Sequence, residues 1–416
     1  MGYFVYNLII RIYNLLIYII SFFNGKAYKI IRGRRNTFSY LKNSRQPGEK
    51  VIWFHCASLG EFEQGRPVME SLKRKKTNFK LFVSFFSSSG YEVKKNDSLL
   101  DGVFYLPADT KSNAKKLISI LRPEIAIFVK YEFWYHIFHE CRENNIPVVS
   151  ISTILRPGQV FFKFYGSFYR KTLKMIDAFY VQNLQTQKLL HEIGISDVTI
   201  SGDTRFDRVS EISKRHQQLP LIEKFKQRKK LIILGSTWKP DIDLWNSFIN
   251  DHGQDYKYII APHQIEEDNL NYIERRIYPT KERYSSVNST IIETYTVLII
   301  DNIGLLSSLY YYGYVNYVGG AFSEGLHNIL EPAVFGSPVL FGKHKSNDKY
   351  REAVDLLKWQ GAIDISNSNE LTLTMQKLIY DTSFYRKMSN QAKKYVERNT
   401  GATDKIITSL NGYIKI

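Results

Sequence analysis

Cysteine is scarce, with Cys56 and Cys141 the only two in 416 residues. This excludes a disulfide framework and a cysteine-rich zinc site, and suits a reducing compartment. Metal motifs are missing too: the nine histidines are dispersed, with neither a His-Glu-x-x-His helix nor an Asp-x-Asp loop, so no metal site is expected. Neither an aromatic RNA-binding pattern nor a helix-turn-helix signature occurs, which argues against nucleic acid. No internal repeat or low-complexity tract is visible. Acidic residues are outnumbered, 40 against 57 Lys and Arg, and the formal net charge of +17 calls for an anionic partner such as anionic lipid or a phosphorylated substrate.

One long apolar run is present, Tyr3 to Phe23. Twenty-one helical residues extend about 31 Å, enough to cross a hydrocarbon core of about 30 Å. Arg11 sits near the middle, where an arginine costs roughly 2.5–3.5 kcal/mol on insertion scales. Asn7, Arg11, Asn14, Tyr18 and Ser21 share a helical face, and this polar stripe favours an in-plane or tilted anchor, or a span whose polar side packs against something. Lys26, Lys29, Arg32, Arg34 and Arg35 follow and would leave the remaining chain on the cytoplasmic side. A cleaved signal peptide is disfavoured, because no small-residue site follows and no positive segment precedes the run.

From Val51 onward short apolar runs alternate with amphipathic segments, the mark of a parallel sheet flanked by helices. Strands are expected at 51–54, 80–86, 124–129, 147–152, 177–182 and 197–201, with a helix over 62–74. Residues 207–230 are polar and without a good strand, and read as an interdomain connection. A second series follows at 231–236, 256–262, 296–301, 315–320 and 337–342, and 369–398 looks helical. The expected fold is α/β: two Rossmann-like domains, 26–208 and 209–416, with a cleft between them, preceded by a membrane-associated helix over 1–25. In open α/β sheets ligands bind beyond the carboxyl ends of the strands, and several of these ends carry polar, glycine-containing loops.

The richest loop is GGAFSEGLHNILEP, 319–332. Gly319, Gly320 and Gly325 permit backbone geometry closed to other residues, and a helix is expected to begin at His327-Asn328. Its first turn would present unpaired N–H groups to an anion, with Glu331 placed to accept from sugar hydroxyls. The glycines alone fit an ordinary turn before a capped helix equally well; His-Asn-x-x-Glu-Pro points towards a nucleotide sugar. In HCASLGE, 55–61, Glu61 enters a helix after a strong strand, either as a general base or as an acid satisfying the helix dipole. In GSTWKPD, 235–241, Ser236 and Thr237 follow another strand, as phosphate ligands or as a plain cap; the spacing is not that of a P-loop. VKYEFWYH, 129–136, offers Lys130 to a developing negative charge with Glu132 as its ion-pair partner. Arg205 in SGDTRFD suits a phosphate or carboxylate, or a structural bridge to Asp203 or Asp207.

Taken in order, HCASLGE, RPEIAIFVKYEFW, VTISGDTRFD, LGSTW, IIAPH, IIDNIGLL and GGAFSEGLHNILEP resemble the transferases of 3-deoxy-D-manno-octulosonic acid (Kdo) in lipopolysaccharide synthesis. The likeness runs from about Val51 to Gly342. It implies a GT-B arrangement and an inverting, metal-independent glycosyltransferase with no cofactor, since CMP-Kdo is a co-substrate. It further implies a lipid A precursor as acceptor and a place on the cytoplasmic face of the inner membrane, against its anionic surface. By position, Glu61 matches the catalytic base and Arg205 a residue assisting the departing phosphate. Pro262 and His263, then Ile303, Gly304 and Leu305, then Asn328, Ile329, Leu330 and Glu331, match segments that hold CMP. Lys130 stands where the family typically has a glutamate, and His263 where it has an arginine. The alternative is a GT-B enzyme that uses a UDP-sugar on another lipid or cell-wall precursor.

Overall fold

The computed structural model describes residues 2–75, 78–215 and 218–414. Two compact units result, Met1–Arg208 with Thr400–Ile416, and Val209–Asn399. Residues 216 and 217 of the expected connection lie outside the described residues.

The first unit is built on β1 (Lys50–Cys56), β2 (Phe79–Phe85), β3 (Gly102–Tyr105), β4 (Ile125–Val129), β5 (Val148–Thr153), β6 (Ala178–Val181) and β7 (Val198–Ile200). They form one parallel sheet in the order β3-β2-β1-β4-β5-β6-β7. The period of two is visible in β1: Val51 and Trp53 enter one core, Ile52, Phe54 and Cys56 the other. A strand covered on both faces reads as a continuous apolar run, which is why β1 stands out in the sequence.

Two helices precede the sheet, α1 (Gly2–Ile20) and α2 (Gly25–Ser44), the second capped by the Asn24 side chain on the N–H groups of Lys26 and Ala27. α1 is long and apolar enough to cross a membrane, and only 6% of that stretch is buried. Its inner side is nevertheless bonded to the unit. The Tyr6 hydroxyl donates to the buried Asp109 carboxylate, which also accepts from the N–H groups of His136 and Ile137 at 2.9 Å. Asn7 Oδ1 lies 2.9 Å from His136 Nε2, Arg34 reaches Asn14 at 3.3 Å, and Tyr13 stacks on Phe86.

The second unit repeats the plan with β8 (Leu231–Thr237), β9 (Lys257–Pro262), β10 (Lys281–Arg283), β11 (Val297–Ile299), β12 (Val315–Val318), β13 (Val339–Gly342) and β14 (Ala362–Ile365). All pairs are parallel, in the order β10-β11-β9-β8-β12-β13-β14. Three strands not expected from the sequence, β3, β10 and β14, are all sheet edges. β10 and β14 are short and only partly buried, so they lack the apolar run of a central strand, whereas β3 is fully buried but only four residues long and opens on a glycine.

The second unit ends at Asn399 rather than at 416. The chain returns to the first unit as the helix Ala402–Leu410, burying Ile406, Ile407, Leu410 and Ile414 beside β1 and the helix α3 (Leu59–Arg74). Asp207 fixes the return, accepting from Gly401 N, Thr403 N and Thr403 Oγ1, each at 2.6 Å. Asp207→Ala should therefore lower the first unit's stability by about 2 kcal/mol, the upper range for losing a cap that satisfies several donors. Urea unfolding followed by a probe in that unit measures this, and an unchanged midpoint would show that the returning helix needs no cap.

Candidate functional site

Strand order locates the chemistry. In the first sheet the connection reverses between β1 and β4, and ligands in such folds bind at this switch point, beyond the carboxyl ends of the strands. The loops leaving β1 and β4 carry Glu61 and Lys130. In the second sheet β8 and β12 stand in the same relation; Ser236-Thr237 form the end of β8, and the glycine segment leaves β12.

Glu61 lies in the first turn of α3. Ser58 Oγ donates to its Oε2, and Lys130 Nζ lies 4.0 Å from its Oε1. Lys130 is a non-glycine residue at φ 68°, a conformation that costs roughly 1–2 kcal/mol. The left-handed turn sends its ammonium to Glu61, not to Glu132. The expected Lys130–Glu132 pair is thus replaced, and Glu132 Oε2 instead faces His55 Nε2 at 3.5 Å. Arg205 adopts the bridging role. Its Nε and Nη2 donate to Asp203 Oδ2 at 2.9 and 2.8 Å, and its main-chain N to Oδ1. Burial raises the Asp203 carboxyl, but the charge and hydrogen bonds of Arg205, aided by Lys130, hold it below the usual range. Glu61, Lys130 and Arg205 therefore belong to one charge cluster, joined by Asp203, one of the two bridge partners expected for Arg205.

In the second unit a buried carboxylate that the sequence reading passed over, Asp241, organises the loops. It accepts from Trp238 N at 2.8 Å, Gly320 N at 3.0 Å and the Tyr317 hydroxyl at 2.6 Å. Burial raises its carboxyl while these bonds pull it back. Gly319 must lack a side chain, since a Cβ would lie 2.6 Å from Asp241 Oδ2 and from Ser236 O, and Gly320 sits at φ 96°. Ser236 is left-handed at φ 52° where the β8–β9 register shifts. The buried Thr237 hydroxyl has no hydrogen-bond partner among the described residues, a gap of the kind a ligand could fill.

Three rings gather above this node. His263 stacks on His327 with centroids 4.3 Å apart and on Trp238 at 5.0 Å, and Trp238 Nε1 donates to His327 Nε2 at 3.2 Å. Main-chain bonds from His263 N to Thr237 O and from His327 N to Gly319 O tie the same loops. Glu331 accepts from Ser307 Oγ at 2.7 Å and Asn328 Nδ2 at 3.1 Å. That bond draws the 303–307 loop to the glycine segment, although Ile303 itself is 88% exposed.

Two expectations change here. No long helix begins at His327-Asn328: the helix is Leu330–Ala333, four residues, so it supplies little dipole. Gly325 lies at φ 128° in the loop before it. Ile329 and Leu330 are fully buried, and their side chains hold the loop to the core. Pro262 and the exposed His263 remain at the loop rim. Trp238, Asp241 and Ser307 were missed; their signals lay in the WKPD continuation and in the serine pair after Leu305.

Residues 32–208 match the family model of the 3-deoxy-D-manno-octulosonic-acid transferase (kdotransferase). This stretch is a Kdo transferase domain. A 3-deoxy-D-manno-octulosonic acid transferase of Aquifex aeolicus is 25% identical over 351 residues, covering 82% of this chain and 89% of that protein. A bifunctional glycosyltransferase/methyltransferase of Fusobacterium nucleatum is 26% identical over 74% of this chain, which spans about half, 49%, of that protein's length. Among solved structures, the UDP-GlcNAc 2-epimerase of Neisseria meningitidis is similar with a TM-score of 0.59 at 16% identity, covering 87% of this chain and all of that one. The fold is GT-B, and the chain resembles Kdo transferases over most of its length.

Burial, with His263 beside it, pushes the His327 imidazole down from 6.5 to about 4. A depressed group stabilises fully above its unfolded value, and that contribution is lost as pH falls from about 6.5 through about 4. Between pH 7 and 4 the melting temperature of the second unit should drop further in the wild type than in His327→Gln, which cannot titrate. Parallel curves in differential scanning calorimetry would show that the ring stack does not hold His327 neutral.

Proposed function

We propose that the protein transfers Kdo from CMP-Kdo to a glucosamine hydroxyl of a lipid A precursor, with inversion at the anomeric carbon and without a metal ion. The observation that carries this reading is Glu61 at the first switch point, held by Ser58 and Lys130 inside a Kdo transferase domain. Glu61 takes the hydroxyl proton as the oxygen bonds to the anomeric carbon, and the bond from that carbon to the phosphate oxygen breaks, releasing CMP. Ser58 keeps one carboxylate oxygen engaged, leaving Oε1 for the incoming proton. In the second unit the Thr237 hydroxyl and the loop N–H groups suit the phosphate, and the Trp238–His263–His327 layer offers a flat wall for a pyrimidine. Glu331 exchanges Ser307 or Asn328 for a ribose hydroxyl.

Glu61→Gln should retain CMP-Kdo binding and lose about 100-fold or more in turnover, the range for removing a general base. Mass spectrometry of products from CMP-Kdo and a detergent-solubilised lipid A precursor reads this out; near-normal turnover would take the base role from Glu61. Full activity after exhaustive EDTA treatment is expected in the same assay, and a loss restored by one divalent ion would overturn the metal-free mechanism.

We further propose that α1 lies in the inner-membrane surface on its cytoplasmic face. Its docked side is committed to Asp109, His136 and Phe86, while Leu8, Ile12, Leu15, Leu16 and Ile19 are exposed, which fits an interfacial helix. The basic residues beside it meet the anionic leaflet, each contributing about 1 kcal/mol when close to the surface. Ile12→Asp with Leu16→Asp should release the protein from anionic vesicles in flotation, yet leave turnover on detergent-solubilised acceptor within about twofold, because these side chains touch no bonded group. Retention on the vesicles would place the anchor elsewhere.

A further inference from the structure

His55 takes no part in the proton transfer, yet it is fully buried under the strand-end loop that carries Lys130 and Glu132. Its ring packs on Phe128 at 5.3 Å. Trp53 Nε1 donates to Ser84 Oγ at 2.8 Å, and the same oxygen lies 2.9 Å from His55 Nδ1. A serine hydroxyl that accepts from the indole still has its own proton. His55 Nδ1 is the nearer acceptor for it, since Phe54 O is 3.5 Å away. The imidazole proton then resides on Nε2. That nitrogen is buried and makes no hydrogen bond among the described residues; Glu132 Oε2, at 3.5 Å, is the carboxylate it faces. The other tautomer would satisfy the Ser84 carbonyl, 3.2 Å from Nδ1, but would set an Nε2 lone pair against a carboxylate oxygen.

Glu132 and Glu61 share a neighbourhood. Both carboxylates act on the Tyr131 hydroxyl, and both reach the Cys56 thiol, after burial has already pushed each group up. Two carboxylates at one site compete to share a proton unless each has its own donor. Glu61 has Ser58 and Lys130. Glu132 has His55.

We propose that His55 is the positioning residue for Glu132: its Nε2–H turns the Glu132 carboxylate so that the free oxygen accepts a hydroxyl of the acceptor sugar, beside the one that Glu61 deprotonates. This rests on the Kdo-transfer reading of the same site. A chain of Trp53, Ser84 and His55 thereby connects the core of the sheet to the acceptor.

The test uses the full chain with CMP-Kdo and solubilised lipid A precursor. His55→Asn keeps a group toward Ser84 and removes the donor toward Glu132; it should raise KM for the lipid acceptor about tenfold, the loss of one charge-assisted hydrogen bond, and leave KM for CMP-Kdo unchanged. His55→Gln, whose amide nitrogen falls near the position of Nε2, should restore most of that loss. In a Glu132→Gln background, His55→Asn should add less than about twofold, because the two residues act as one unit. An unchanged acceptor KM, an equal rise for both substrates, or full additivity with Glu132→Gln would each overturn the proposal. If His55→Asn does not fold, 15N shifts of labelled histidine in the wild type decide: an Nε2–H tautomer perturbed by Glu132→Gln supports the link, and the Nδ1–H form or an unmoved signal ends it. Wild-type protein that forms no Kdo-bearing product would overturn the activity itself, while the histidine shifts would still judge the His55–Glu132 contact.

Discussion

A parallel strand covered on both faces admits a polar side chain only where a neighbour inside the sheet satisfies it, as Ser84 does for His55, and this constraint governs both units. β1 sends Val51 and Trp53 into one core and Ile52, Phe54 and Cys56 into the other, so charge first becomes possible at the loop toward Glu61. Chemistry is therefore forced to the carboxyl edge, and the two loops that diverge at each switch point are the ones between which a ligand fits. Lys130, Ser152 and Ser236, non-glycine residues at positive φ, lie at or near the ends of β4, β5 and β8. Holding each costs on the order of 1 kcal/mol or more, which the packed strands behind them offset.

The same constraint explains how much was legible in the sequence. Central strands announce themselves because both faces must be apolar; β10 and β14, at the edges, need only part of that signal, and β3, though buried, is only four residues long. The segments that house Glu61, Ser236 and the glycine loop were visible as polar interruptions after apolar runs. Pairings within them were not. Lys130 and Glu132 stand two apart, a spacing that suggests an ion pair, but one left-handed residue separates their directions, giving Glu61 the ammonium and His55 the carboxylate. Asp241 was legible only in part: WKPD offers the local Trp238 N–H, but the other two donors, Tyr317 and Gly320, lie about 80 positions away, and no local pattern foretells them.

Arg205 illustrates how a residue type can be read correctly and its partner remain open. A guanidinium fork matches any planar pair of oxygens, and the nearest pair belongs to Asp203, two residues away, at 8% side-chain exposure. Leaving that carboxylate unpaired would cost several kcal/mol, so a substrate phosphate competes with a bond the fold itself requires. Thr237, whose buried hydroxyl has no partner among the described residues, carries no such competition. On the proposed reading the threonine would be the more available phosphate donor, while Arg205 would act through the charge it shares with Lys130 around Asp203.

The balance of α1 follows from similar reasoning. A helix that spans a bilayer gives every face to lipid or to other helices, whereas Tyr6 gives its hydroxyl to Asp109, a carboxyl that burial has pushed up to about 6. Drawing the helix into the membrane would remove one of the three hydrogen bonds that make this buried acid tolerable, and would also carry Arg11 into hydrocarbon. Lying at the surface costs neither. In that proposed position Arg11 would stay in the headgroups, Asn7 and Asn14 would keep His136 and Arg34, and the outward leucines and isoleucines would reach the acyl boundary. On the proposed reading, the polar stripe within an apolar run is the sequence form of a helix with protein on one side and lipid on the other.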